Sequence, residues 1–378
     1  MNYRDYIAEK LNVEGVGAEE ISSCIVVPPD TSMGDYALPC FKFAKVITSV
    51  QAVNGYLNFK VNRAGLIKNT LEKINAEGEK YGSSSEGAGR TICIDYSSVN
   101  VAKPFHIGHL STTVIGGALY RLYKFLGYNA VGINHLGDYG TQFGKLIYAY
   151  KHWGNPEEVE KGGVQELTRL YVRYHKESEK DPSMDDEARR YFKLIENGDE
   201  ECCALFEKFK ALTLKEVQKI YDELDIKFDS YAGESFYNDK MQPVIDELEE
   251  KGLLKTSEGA KIVDLSEYGM PPCLILRSDG ASLYATRDLA AACYRKAHYN
   301  FEKCLYVVAY QQNLHFRQFF KVLELMGKPW AKDLVHVAYG MVSLLDENGN
   351  QVAMSTRNGT VVLLQDVLDK CHEKCLQV

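Results

Sequence analysis

Asp95-Tyr-Ser-Ser-Val-Asn-Val-Ala-Lys-Pro-Phe-His-Ile-Gly-His-Leu110 is the stretch that decides the fold. It begins at the end of residues 92–96, a short apolar run between Gly89 and Ser97 that reads as a buried strand. It runs into a helical pattern, with Leu110, Val114, Ile115, Ala118, Leu119, Leu122, Phe125 and Leu126 at mostly three- and four-residue steps and Gly127 as the stop. Gly116 and Gly117 inside that helix each cost about 1 kcal/mol against alanine, which predicts close packing against another backbone. Residues 130–134 read as a second strand. The unit is strand, turn, helix, strand.

The rhythm continues further out. Residues 155–225 are dense in Glu, Lys, Arg and Tyr with helical periodicity, and read as a helical insertion. Residues 229–272 carry Gly, Pro and short β-like runs such as 261–265, as a small connective module would. Residues 305–309 are continuously apolar, the mark of a parallel strand buried on both faces. A helix follows with Phe316, Phe319, Phe320, Leu323 and Met326 on one face, then a strand over 334–342. The expected fold is therefore α/β: a doubly wound parallel sheet of Rossmann type, interrupted by a mainly helical insertion at about 151–280. Residues 1–82 read as a small α+β N-terminal domain. Residues 83–89, Ser-Ser-Ser-Glu-Gly-Ala-Gly, read as a linker, and 90–370 as the main domain.

Composition sets the bounds. The 378 residues are 45% hydrophobic and 25% charged, ordinary for a globular chain, and no long uninterrupted apolar stretch signals a membrane span or leader. A cytoplasmic protein without membrane association is expected. The net charge of −8 gives no bulk attraction for nucleic acid, yet a local basic strip can still bind RNA. Ten cysteines include no CxxC pair and read as reduced thiols. Cys371, His372 and Cys375 lack an identifiable fourth ligand, so no metal site is expected.

In a doubly wound sheet the turn after the first strand faces the ligand crevice. His106 and His109 stand three apart at the helix start, Gly108 leaves the backbone open, and the helix N-terminus favours phosphate. A metal pair or plain surface histidines are the alternatives. A second segment, Ala353-Met-Ser-Thr-Arg-Asn-Gly359, offers hydroxyls, a guanidinium and a glycine suited to gripping triphosphate. Taken alone it would read as a solvated turn.

Together the two segments resemble the HIGH and KMSKS signatures of class I aminoacyl-tRNA synthetases. The strings SSVNVAKPFHIGHL, NHLGDYGTQFGK, LYATRDLAAA, YVVAYQQNLHFRQFF and YGMVS…MSTRNGTVVLL, in this order, are similar to the arginyl-tRNA synthetases specifically. The resemblance implies an arginine–tRNA ligase that uses ATP with Mg2+, activates L-arginine and loads it onto tRNA, acting as a monomer. It implies Asp95, Tyr284 and Asp288 around the substrate guanidinium, and Ser97, Asn100 and Gln312 at its α-amino and carboxylate end. His106, Gly108, His109, His315, Met341, Val342 and Met354 are implied around ATP. Lys103, Ser355, Thr356 and Arg357 are implied, with the two histidines, in catalysis. Tyr56 and Asn58, in Asn54-Gly-Tyr-Leu-Asn-Phe59, resemble residues that contact the tRNA elbow, although their alternation equally suits a half-buried strand.

Two departures stand out. Val99 replaces a frequent proline. Ala353 and Thr356 occupy the positions of both signature lysines, with Arg357 one place late, and Lys103 resembles the substitute. The resemblance also implies a helical anticodon-binding domain, of which 371–378 would be the start. A nucleotidylyltransferase without tRNA, or a non-catalytic binding paralogue, are the competing readings. The N-terminal module weighs against the first, and the intact histidines and carboxylates against the second.

Overall fold

The computed structural model describes residues 2–11, 16–30, 32, 34–39, 56–59, 63–278, 283–342, 344–345, 351–352 and 362–377, with 56–59, 63, 344–345 and 351–352 as backbone alone. The chain divides into two compact units, Met1–Gly82 and Ser83–Val378. The first has helices α1 (Tyr3–Lys10) and α2 (Ala18–Cys24), an antiparallel pair β1 (Tyr36–Pro39) and β2 (Tyr56–Phe59), and helix α3 (Arg63–Glu77). Ala8, Ile21, Ile25 and Leu38 form its small core.

The second unit begins with β3 (Thr91–Asp95), helix α4 (Leu110–Phe125) and β4 (Asn129–Ile133). Helices α5 (Thr141–Trp153), α6 (Pro156–Ser178), α7 (Ser183–Glu196) and α8 (Glu200–Glu223) form the expected helical insertion. Gly144 lets two of them meet at backbone distance, since a Cβ there would stand 1.9 Å from the Ala188 carbonyl. Helix α9 (Met241–Glu250) leads into a three-stranded antiparallel sheet of β5 (Leu254–Ser257), β6 (Ala260–Val263) and β7 (Cys273–Leu276). The main sheet resumes through α10 (Tyr284–Tyr299), β8 (Lys303–Ala309), α11 (Asn313–Leu325) and β9 (Leu334–Tyr339). A short pair, β10 (Leu344–Leu345) and β11 (Gln351–Val352), and helix α12 (Leu364–Cys375) follow.

The main sheet is parallel throughout, in the order β4-β3-β8-β9. The chain leaves β3 toward β4 and returns on the other side as β8. The order therefore reverses at β3, and a crevice opens beyond the carboxyl ends of β3 and β8. Two details differ from expectation. Residues 83–89 are no free tether: the Ser84 and Gly87 amides donate to the carbonyls of Phe125 and Leu126 at the end of α4. Gly116 and Gly117 yield to side chains rather than to backbone, the first to the Tyr96 ring and the second to Ile226. Among the described residues no helix is long and apolar enough to cross a membrane. The nine described cysteines are free, and no metal-binding cluster of three His, Cys, Asp or Glu occurs among the described residues.

Candidate active site

The turn after β3 is strained and clamped from three sides. Ser97, Ser98 and Ala102 have φ of 69°, 50° and 60°, left-handed values that cost a residue with a Cβ about 1–2 kcal/mol each. The Ser97 amide donates to Thr112 Oγ1 on α4 at 3.0 Å. The Ala102 amide donates to Thr213 Oγ1 on α8 at 2.9 Å. Thr112 in turn donates to the Val307 carbonyl of β8 at 2.7 Å. On the third side Asn100 bridges Gly137, where any side chain would run into the Asn100 amide.

His106 and His109 spend their Nδ1 atoms on this backbone. His106 Nδ1 accepts from the Gly108 amide at 3.1 Å, and His109 Nδ1 from the His106 amide at 3.2 Å. Their ring centroids lie 3.9 Å apart. An imidazole accepting at Nδ1 carries its proton on Nε2. Burial, then the Lys103 ammonium, holds His106 below its usual range. Burial, then His106, pushes His109 down to about 3. Both rings are thus neutral N–H donors near pH 7, and the nearby cation is Lys103.

Met354, Ser355, Thr356 and Arg357 lie outside the described residues. The chain leaving that segment returns to the first motif: Leu363 bridges His106 antiparallel. The Ile107 amide donates to the Val362 carbonyl, and the Leu364 amide to that of Phe105, each at 3.0 Å. Met341 and Val342 follow β9, the first exposed and the second packed against the sheet core. Gln312 ends an exposed turn at the start of α11. Tyr56 and Asn58 have backbone places in β2, opposite Pro39 and Ala37; beyond that they fall outside the description.

Three carboxylates surround His135, a residue the sequence reading passed over, and a fourth neighbours two of them. Asp95, Asp288 and Asp138 all act on its imidazole, which burial pushes down, and Glu234 feels Asp288 and Asp138. They are not equivalent. Asp95 Oδ2 is paired with Arg295 Nη1 at 2.8 Å, and its Oδ1 accepts from Ser98 Oγ at 2.9 Å. Asp138 is paired with Lys210 at 2.8 Å. Among the described residues Asp288 accepts from a neighbouring imidazole, His315 Nε2 at 2.7 Å, and keeps a partly exposed side chain. Burial and the two neighbouring aspartates push Glu234 up to about 7, against the opposing pull of Arg287. Asp288 and Glu234 are the carboxylates left to receive a cation.

Three of the residues expected around the ligands have partners within the chain. Asp95 already serves a guanidinium of the chain itself. The Ser97 hydroxyl is buried and bonded to those of Tyr221 at 2.7 Å and Thr113 at 2.9 Å. His315, expected beside ATP, contacts Asp288 and packs edge-on against Tyr284, with centroids 4.8 Å apart. Tyr284 and Asp288, one helical turn apart on α10, do share a side, as their spacing predicts.

Residues 70–378 match the family model for tRNA synthetases class I (R), catalytic domain. The chain belongs to the arginyl-tRNA synthetases. It is 50% identical over 400 aligned positions to an arginine–tRNA ligase of Alkaliphilus metalliredigens, covering all of this chain and 70% of that one. It is 54% identical to that of Clostridioides difficile, covering 98% of this chain and 68% of that one. The arginyl-tRNA synthetase structure of Thermus thermophilus superposes with a TM-score of 0.72 at 21% identity, over 93% of this chain and 66% of that one. That of Plasmodium falciparum gives 0.65 at 23% identity, over 89% and 64%. These two show the fold, and the curated relatives the family. The chain spans about 70% of the length of those relatives, and its function is that of an arginine–tRNA ligase.

Proposed function

We propose that the crevice seats L-arginine with its guanidinium between Asp288 and Glu234, below Tyr284, and its carboxylate toward ATP held at the His106–His109 turn. The observation that carries this reading is the division among the four carboxylates: Asp95 and Asp138 are each ion-paired with an Arg or Lys of the chain, whereas among the described residues Asp288 and Glu234 have no Arg or Lys within ion-pair distance, Asp288 meeting the His315 imidazole instead. A planar guanidinium needs acceptors set as a fork, which two carboxylates supply. Asn100 and Gln312 hold the α-amino and carboxylate end. Met341 and Val342 border the adenine, and Gly108 leaves room for the phosphates.

Activation joins the arginine carboxylate oxygen to the α-phosphorus of ATP and breaks the bond to pyrophosphate. The protein positions both reactants and stabilises the charge that develops on the phosphoryl oxygens. His106 and His109 donate through Nε2–H as neutral groups, and Lys103 supplies the positive charge. Ser355, Thr356 and Arg357 close from the second motif. ATP enters as its Mg2+ complex. The 2′-hydroxyl of the terminal adenosine of tRNA then attacks the carbonyl carbon of the adenylate, forming the ester as the acyl–phosphate bond breaks and AMP leaves, and the N-terminal unit meets the tRNA elbow through Tyr56 and Asn58. We further assign the enzyme to the cytoplasm, as a monomer.

Arginine-dependent ATP–pyrophosphate exchange, with and without tRNA, tests the reading. Exchange is expected with arginine alone among the amino acids, and Glu234→Gln or Asp288→Asn should raise the arginine KM by tenfold or more, about 1.4 kcal/mol of lost binding. Exchange driven by another amino acid, or an arginine KM unmoved in both variants, would overturn it.

A further inference from the structure

Glu234 is the first residue of a short 3-10 helix, Glu234–Lys240, whose N-cap Gly233 offers no side chain to cap it, yet a guanidinium fork must be placed to within a fraction of an ångström. Its first turn is held by one carboxylate. Asp138, whose side chain is wholly buried, accepts the Ser235 amide at Oδ1 and the Ser235 hydroxyl at Oδ2, both at 2.8 Å. Lys210, from helix α8 of the insertion, donates to the same Oδ2 at 2.8 Å. The Glu234 amide itself donates to the Leu136 carbonyl at 2.9 Å. Gly233 completes the clamp, since a Cβ there would stand 2.6 Å from both Asp138 Oδ1 and that carbonyl.

We propose that Asp138 is a positioning residue for arginine recognition: it locks the 233–235 turn onto the loop after β4 and so holds the Glu234 carboxylate beside Asp288. Lys210 is its counter-charge. Asp138 is thereby spared from competing for the substrate cation, and the helical insertion gains a direct bond to the specificity pocket. The inference rests on the proposed role of Glu234 and adds how that carboxylate is aimed.

Ser235→Ala removes one bond of the clamp and leaves the buried Asp138–Lys210 pair intact. Its arginine KM is expected to rise about tenfold, the scale of a small misplacement, with the ATP KM and Tm close to wild type. Ser235→Thr keeps a hydroxyl and should restore most of the loss. In a Glu234→Gln background Ser235→Ala should add little, because the two act along one path. Full additivity in that background, or an equal rise of the ATP KM, overturns the positioning role. An arginine KM unchanged in Glu234→Gln alone refutes the pocket assignment instead, so the two failures are told apart. Asp138→Asn gives the larger effect on arginine KM if the protein folds, and an unchanged arginine KM in folded Asp138→Asn also overturns the proposal.

Discussion

Arg295 Nη1 stands 2.8 Å from Asp95 Oδ2 with both side chains buried, an ion pair that ties α10 to the end of β3. Burial opposes a charge on Arg295, yet Asp95 beside it holds the guanidinium charged. We propose that Asp95 is part of the wall of the pocket and not its acceptor. Asp95→Asn leaves a buried cation uncompensated, which costs about 3–5 kcal/mol. The expected result is a large fall in Tm, with an arginine KM near wild type for the protein that remains folded. A wild-type Tm with a greatly raised arginine KM would return Asp95 to the substrate.

Glu234 makes arginine binding depend on pH. Its carboxyl titrates at about 7, above its usual 4.5, because burial comes first among the causes and Asp288 and Asp138 reinforce it. Only the ionised form attracts a guanidinium. Arginine affinity should rise as pH increases toward 7, approaching tenfold per pH unit below it, and then level off. For the unliganded protein the sign is opposite. A raised carboxyl contributes stability that is full below pH 4.5 and lost as pH climbs through 7. Calorimetric titration of arginine at several pH values measures the first effect, and Glu234→Gln should flatten it. A profile as steep in that variant as in the wild type would assign the proton elsewhere.

The sheet, the first-motif turn and the helical insertion were legible because each is written locally. Apolar runs at 92–96 and 305–309 announce buried parallel strands, and H-x-G-H marks where strand passes to helix. The pocket was less legible because pairing is not a local property. Nothing near Asp95 reveals that Arg295, at the far end of the domain sequence, will occupy it. Glu234 lies in an unremarkable Ala-Gly-Glu-Ser turn, and its only written signal is Gly233, whose need appears once Asp138 packs there. His315 followed the same rule: its place beside Asp288 depends on α10 and α11 meeting, which no single motif encodes.

His109 should make the protein acid-sensitive. Folding lowers its pKa from 6.5 to about 3, chiefly by burial. Between those values the unfolded chain binds a proton that the folded one refuses, so stability falls as pH drops below 6.5 and keeps falling toward 3. His109→Gln has nothing to titrate there and should show a shallower loss of Tm between pH 6.5 and 4, whatever its activity. Equal slopes for the two proteins would mean that His109 is protonated in the folded state, and with it that the neutral-donor role fails.

Gly116→Ala is expected to reverse the usual sign of its substitution. In an unconstrained helix the change gains about 1 kcal/mol. Here the new Cβ would stand 2.2 Å from Cβ and Cγ of Tyr96. That ring has nowhere to go, because it is fully buried and its hydroxyl donates to the Lys227 carbonyl at 2.5 Å. Overpacking of this kind costs about 1–3 kcal/mol. Tyr96 lies between Asp95 and the strained Ser97, so any backbone shift that relieves the clash displaces the turn carrying His106. Thermal unfolding should therefore show a lower Tm, and exchange a reduced kcat. A raised Tm with full activity would mean that Tyr96 moves aside freely, and the close contact would then play no part in setting the turn.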